Sequence, residues 1–289
     1  MPSVRKRSTD FFKGKLDKVK KAFLKKQNNE KHHAARDAEM RTDVNLQEDY
    51  SKGKSVTEVF TADPGECGQG CKRFTGLNMS DLLFIEIFAG TARLSKVARD
   101  VGIQILPIDK TNARASQIFV AQYDLANSED VDALVELITA ERHRILAIHL
   151  APACGTASKA REKKLSSLAK RGFKIPVPLR SKEKPMGLDG LQGLDKVRTE
   201  LANLVYSATA VIVRLCLELH ILCSVENPAN SLFWFFPDIA ALLGKGYRVD
   251  FHNCMHGGTR NKLTTWWATQ DIFGELSILC DGRHEHAKW

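Results

Sequence analysis

The sequence predicts an α/β domain built on a mostly parallel, doubly wound sheet, and two observations carry that prediction. From about Leu82 onward, short apolar runs rich in β-branched residues alternate with longer runs of helical period. Such alternation marks βαβ units, because parallel neighbours need a crossover long enough to hold a helix. The second observation is size: 289 residues, 43% of them hydrophobic, can bury one large core or two modest ones.

Strands are expected at Leu83–Phe88, Ile103–Ile108, Ile118–Gln122, Ile145–Leu150 and Ile221–Val225, continuous apolar runs of the kind buried on both faces. Helices are expected at Arg93–Asp100, Ser128–Ala140, Lys196–His220 and Ser231–Leu243, with Tyr247–Phe251 and Leu263–Thr269 as a final strand pair. No internal repeat is visible.

Ahead of this domain, taken as residues 79–289, positions 1–78 read as a basic extension, partly helical or disordered. Phe12, Leu16, Val19 and Phe23 recur at helical spacing among lysines, as in a short basic amphipathic helix. Arg5-Lys6-Arg7 fits a nuclear signal or a nucleic-acid arm, with mitochondrial and membrane-surface roles left open. Gln27 to Lys54 is polar and aperiodic, a linker or disordered stretch. Cys67 and Cys71 lie beside glycines, and a lone C-x-x-x-C says little about metal.

The net charge of +9 is unevenly spread. Residues 1–26 hold ten Lys/Arg against Asp10 and Asp17, and residues 159–200 hold twelve against five acids, so the remainder is net acidic. Two basic segments on an acidic body suggest contacts with a polyanion at defined places. For the tail, solvated lysines without a partner are an equal reading. No apolar run approaches the roughly 20 residues that span a bilayer, and no apolar core follows the basic N-terminus as secretion requires. Seven cysteines, odd in number and scattered, are the usage of a reduced intracellular protein. A nuclear location is the expectation.

Ligands of open parallel sheets bind beyond the carboxyl ends of the strands. The first strand turns through Phe88-Ala89-Gly90-Thr91 into a helix, and small residues there let backbone amides and a helix N-terminus approach a ligand. Asp109 ends the second strand, twenty-three residues after Glu86, where a carboxylate can accept ribose hydroxyls. Asp124 follows the third strand, within reach of an adenine amino group. A full dinucleotide fingerprint would need glycine at Ala92 and Ser95. On these residues alone, a nucleotide ligand and a bare tight turn fit equally well.

Cys154 lies just beyond the fourth strand in Pro152-Ala153-Cys154-Gly155-Thr156-Ala157-Ser158, with Lys159, Arg161, Lys163 and Lys164 following at once. A thiolate nucleophile needs such a strand end and positive potential. Glu226, in Val225-Glu226-Asn227-Pro228 at the fifth strand end, supplies a carboxylate for acid–base work at the same rim.

In order and place, these elements resemble the DNA cytosine-5 methyltransferases. Phe88-Ala89-Gly90 matches their F-A-G-x-G-G, with Ala92 at the second glycine. Pro152-Ala153-Cys154 with Ser158 is similar to their P-C-x-x-x-S, with Ala153 inserted. Glu226-Asn227 matches E-N-V, with Pro228 in place of the apolar residue, and Gly258-Thr259-Arg260-Asn261-Lys262 is similar to Q-x-R-x-R, with Lys262 at the second arginine. The resemblance covers about residues 82–270 and implies a Rossmann-like, S-adenosylmethionine-dependent methyltransferase fold. It implies that Cys154 attacks C6 of a flipped-out cytosine, that Glu226 holds the N3/N4 edge, and that Arg260 or Lys262 faces the base carbonyl or phosphates. S-adenosyl-L-methionine would lie against Phe88, Ala89, Gly90, Thr91, Asp109 and Asp124, and the basic stretch 159–200 would close over DNA. The family continues into a target-recognition domain and a C-terminal helix for which this chain, ending at Trp289, leaves no room. A non-catalytic nucleic-acid-binding remnant, derived from a mobile element, is therefore the alternative, and a nucleotide-cofactor enzyme of another class is a third.

At the C-terminus, Cys280, His284 and His286 form a C-x3-H-x-H array with Cys254 upstream, a donor set that could hold Zn²⁺. The other reading is a polar tail whose histidines bind nothing.

Overall fold

The computed structural model describes Phe74 and residues 76–287, apart from positions 112, 114 and 163–174. The chain divides into two units, Met1–Cys71 and Lys72–Trp289, and the described residues belong to the second. The Phe12–Phe23 helix, Arg5-Lys6-Arg7, the 27–54 linker, Cys67, Cys71, Lys163 and Lys164 lie outside the described residues.

Seven strands form one sheet: β1 (Leu83–Ile87), β2 (Gln104–Asp109), β3 (Ala121–Gln122), β4 (Ile145–Leu150), β5 (Leu222–Pro228), β6 (Tyr247–His252) and β7 (Leu263–Ala268). Their order is β3-β2-β1-β4-β5-β7-β6. The first five run parallel, with β1 between β2 and β4, while β7 lies antiparallel to both β5 and β6. The domain is thus mixed α/β with a mostly parallel sheet. Among the described residues the α-helices are α1 (Arg93–Asp100), α2 (Ser128–Glu141), α3 (Gly193–Glu218) and the single turn α4 (Pro237–Ala240).

Strands buried on both faces need apolar side chains at successive positions, and this sheet has them. Ile85, Ile87, Ile145, Ile148, Leu150 and Cys223 are all fully buried, in one cluster with Tyr206, Ile212 and Phe233. Each large aliphatic side chain so placed stabilises the fold by about 1.5–3 kcal/mol relative to exposure. Asn127 caps α2 by accepting the Glu129 amide at 3.0 Å.

Two expected elements differ. Ile118–Gln122 shrinks to the two-residue β3, yet Ile118 and Val120 are buried against Ala89 and Ala92. Their apolarity serves packing under the β1 turn, not a ladder. Ser231–Leu243 is not one helix: a 3₁₀ turn at Leu232–Phe235 ends at Phe236, whose backbone is extended (φ −62°, ψ 129°), before α4 starts at Pro237. A proline disfavours the helical region for the residue before it.

One further expectation needs correction. By length and composition α3 is long and apolar enough to cross a membrane. Its Tyr206, Ala210, Ile212, Val213 and Cys216 are instead buried in the core of the sheet.

Candidate active site at the strand ends

The chain travels from β1 outward to β2 and β3, then returns to place β4 on the other side of β1. This reversal makes the carboxyl ends of β1 and β4 the switch point where such sheets open a crevice. Ala89 N–H donates to the Ile108 carbonyl (3.0 Å) and Ala151 N–H to that of Ile87 (3.2 Å), so the loops leaving β1 and β4 peel away side by side.

The loop after β1 is conformationally unusual. Phe88, Gly90 and Ala92 all have positive φ (60°, 54° and 55°). An L-residue in this region costs roughly 1–2 kcal/mol, and such strain gathers at functional sites. Ala92 therefore adopts the backbone that a glycine would adopt without strain. Gly90 is exposed, with nothing within 4 Å of where a Cβ would stand. Its amide donates to Asp109 Oδ2 at 2.8 Å, tying the turn to the end of β2. Asp124 accepts Lys110 Nζ at 2.7 Å and the Ala126 amide at 3.1 Å. The Lys110 ammonium holds its carboxyl below the usual carboxylate range.

Glu86 has a role that the sequence reading missed. It is buried in β1, and its Oε2 accepts the Ser95 amide at 2.7 Å. Burial pushes its carboxyl up, while bonds from Ser95 and the Leu94 amide oppose that. The first turn of α1 is thus capped by a carboxylate from the neighbouring strand. This corrects the expectation that the helix N-terminus stands open to a ligand: a buried amide pair needs an acceptor, and Glu86 is already there. The signal was an acid inside the apolar run Leu-Phe-Ile-Glu-Ile.

At the other side of the switch, Cys154 opens a turn in which its carbonyl accepts the amides of Ala157 (2.9 Å) and Ser158 (2.8 Å). Its thiol is free and half-buried. Burial pushes the thiol up, Lys262 pulls it down, and Glu226 pushes it up again. Lys262 Nζ bonds Glu226 Oε1 at 2.9 Å. Cys154, Glu226 and Lys262, distant in sequence, therefore form one electrostatic group at the ends of β4 and β5. Arg260 instead sits on the exposed loop that precedes Lys262. Asn227, next to Glu226, donates through Nδ2 to the Pro152 carbonyl at 2.9 Å and so braces the cysteine loop against β5.

Arg180 is the second missed residue, and it corrects the reading of the basic stretch. It is 2% exposed, the largest fully buried side chain among the described residues. Arg161 is also committed: it donates to the carbonyl of Val177 (2.8 Å) and pairs with Asp195 (3.6 Å). Neither guanidinium is presented to a phosphate. Lys159 remains exposed at the edge of the stretch.

An apolar crevice lined by Val213, Val225, Trp234 and Trp267 lies between α3 and the sheet. It holds no polar group and carries no chemistry. The Cys254–His286 group is assembled as a cluster, with ligand atoms within 4.8 Å of one another.

The chain matches no protein-family model and no curated protein. Among solved structures it is similar to a methyltransferase of Entamoeba histolytica, with a TM-score of 0.38 and 12% identity over 65% of this chain and 52% of that one. The chain thus spans about half the length of that protein. At this level the likeness carries no argument about activity.

Proposed function

We propose that this chain is an S-adenosylmethionine-dependent methyltransferase acting on cytosine C5 in DNA, with Cys154 as nucleophile, as its resemblance to the DNA cytosine-5 methyltransferases implies. One observation carries the reading: Cys154 and the Lys262–Glu226 pair act on one another at the ends of β4 and β5, and β4 ends beside β1, whose end carries the strained Phe88–Ala92 turn. The turn fits a cofactor. Gly90 is open to close approach, and Asp109 is oriented through Oδ2 by the Gly90 amide while Oδ1 suits ribose hydroxyls. Ala89, Thr91 and Phe88 complete that wall, and Asp124 stands at the next strand end.

S-adenosylmethionine, when bound, supplies an electrophilic methyl group. The chain's own residues must make cytosine able to accept it. Cytosine C5 is a poor nucleophile until sulfur adds at C6, so the Cys154 thiol loses its proton to solvent and its Sγ bonds C6 of a base turned out of the stack, the electron pair of the C5–C6 double bond moving to C5. Lys262 favours the thiolate that this requires. Glu226 hydrogen-bonds the N3/N4 edge, and Lys262 or Arg260 faces the base carbonyl or the phosphates. After C5 accepts the methyl group, water takes the C5 proton, the electrons of that C–H bond re-form the C5–C6 double bond, and the C6–S bond breaks to release the Cys154 thiolate. Lys159, with the other lysines of the 159–200 stretch and those of the N-terminal tail, would contact phosphates. A nuclear location follows from this reading.

A second reading has its own support. Burial raises the Cys154 thiol, and Glu226 is already paired by Lys262, as suits a nucleic-acid-binding relative that has lost catalysis. Two measurements separate them. Calorimetry should show binding of S-adenosylmethionine and S-adenosylhomocysteine, weakened at least tenfold in Asp109→Asn. DNA containing 5-fluorocytosine should be trapped covalently by the wild-type chain and not by Cys154→Ser. Cofactor binding without trapping would leave a methyltransferase of another acceptor; no cofactor binding with DNA retained would establish the non-catalytic reading.

A further inference from the structure

Just beyond the end of β6, Cys254, Cys280, His284 and His286 bring two sulfurs and two imidazole nitrogens within 4.8 Å of one another. No carboxylate belongs to the group, and this S₂N₂ set is the one tetrahedral zinc takes in structural sites. With Zn–S near 2.3 Å and Zn–N near 2.0–2.1 Å, the donors of such a tetrahedron stand roughly 3.3–3.8 Å apart. Cys280 Sγ already lies 3.4 Å from His286 Nε2 and 3.9 Å from His284 Nε2. A contraction of about 1.5 Å at most completes the geometry.

The surroundings are those a thiolate site needs. Gly282 N–H points at Cys280 Sγ (3.3 Å), in a turn that its φ of 74° permits, and an amide so aimed steadies negative charge on sulfur. Cys280 N–H donates to His252 Nδ1 at 3.1 Å, fixing the backbone that carries the sulfur. The neighbouring His256 is otherwise employed: its Nε2 meets the Leu276 carbonyl at 2.9 Å and its ring packs edge-on to Phe251.

Little else holds the C-terminal segment in place. The segment after Leu276 forms no regular element, and Ile278 and Leu279 are 42% and 60% exposed, so little apolar burial holds it. Its backbone is tied to the rest of the domain by His252 N–H donating to the Ile278 carbonyl (3.1 Å), Cys280 N–H to His252 Nδ1 (3.1 Å) and Ala287 N–H to the Thr259 carbonyl (2.8 Å). We propose that Cys254, Cys280, His284 and His286 bind one Zn²⁺, which clips the C-terminal segment to the loop following β6. Two thiols lose their protons on binding and two imidazoles bind neutral, so the ion's two charges are balanced within the site. The clip has a consequence for the strand ends. The loop it anchors begins at Cys254 and ends at Lys262, so the metal holds the base of the segment that presents Arg260 and Lys262. The inference does not depend on the methyltransferase reading.

The test uses the untagged full chain, purified under reducing conditions from zinc-supplemented cells. Elemental analysis should find about one zinc per chain, retained in His256→Asn and lost in Cys280→Ser and His286→Ala. Cobalt loading should give the sulfur-to-metal charge-transfer and visible bands of a tetrahedral S₂N₂ site. Chelation should lower the melting temperature and raise hydrogen exchange in 253–262 and 277–287 while the central strands stay protected. Because His286 lies near the exposed end, its alanine variant tests the site even if Cys280→Ser does not fold. A folded wild-type chain without stoichiometric zinc, or with a Cys254–Cys280 disulfide instead, overturns the proposal, as does undiminished zinc in His286→Ala.

Discussion

The guanidinium of Arg180 grips the hydroxyl of Thr156 from two nitrogens, Nε at 3.3 Å and Nη2 at 3.2 Å. The same buried group donates to Asn203 Oδ1 (2.7 Å), to the Thr199 carbonyl (3.1 Å) and to the carbonyl of Pro185, and it lies over the Tyr206 ring. Tyr206 in turn donates its hydroxyl to the Ala153 carbonyl at 3.0 Å. The loop carrying Cys154 therefore hangs on a buried cation from outside the strand that precedes it.

Replacing Arg180 leaves those acceptors without their donor. Arg180→Met should destabilise the domain by about 3 kcal/mol, within the range for removing one partner from a buried ionic network. Arg180→Lys should recover little, because an ammonium cannot reach acceptors arranged around a planar fork. Denaturant unfolding measures both. A loss below about 1 kcal/mol in Arg180→Met would show that the loop stands without it.

The thiol of Cys154 should alkylate slowly at neutral pH, since burial holds it above the ordinary thiol range. The rate of iodoacetamide modification should rise with pH along a curve displaced to the alkaline side. Lys262→Met should displace that curve further, because a cation that favours the thiolate is gone. Glu226→Gln should bring it back towards neutrality, because a repelling carboxylate is gone. Shifts in the reverse directions would mean that these side chains do not act on the sulfur.

Acid should weaken the fold through His149. This histidine is buried beside Trp266, with Nδ1 2.9 Å from Ser224 Oγ, and burial lowers its pKa from 6.5 to about 4. Between those values the unfolded chain binds the proton and the folded chain does not. Its contribution is thus complete above pH 6.5 and is lost as pH falls through about 4, by up to about 3 kcal/mol. His149→Gln, which cannot titrate, should show a correspondingly flatter acid limb in stability against pH. An unchanged limb would assign the acid sensitivity to other groups.

The strands of the parallel sheet were readable because burial on both faces demands uninterrupted apolar runs, and Leu83–Ile87 and Ile145–Leu150 have them. The Ser231–Leu243 segment misled because its apolar residues pack as a helix would while Pro237 forbids the backbone to continue. Of the residues singled out beforehand, Cys154, Glu226 and Lys262 act on one another, because Cys154 follows β4, Glu226 lies near the end of β5 and Lys262 precedes β7, and β5 is the neighbour of both β4 and β7. Arg180 was read as one cation among twelve in 159–200, since charge alone cannot distinguish a solvated guanidinium from a buried one.

By itself, then, the sequence determined which segments are strands, where small residues allow a tight turn, and which donors crowd the C-terminus. These are properties of adjacent residues: hydrophobic periodicity, backbone permissiveness and local composition. Only the tertiary structure decided that Glu86 closes the first turn of α1, that Arg180 anchors the cysteine loop, and that Lys262 spends its charge on Glu226. Each of those depends on partners that are not adjacent in sequence and meet only when the chain folds. A charged side chain's role is set by which opposite charge or acceptor reaches it once water is excluded.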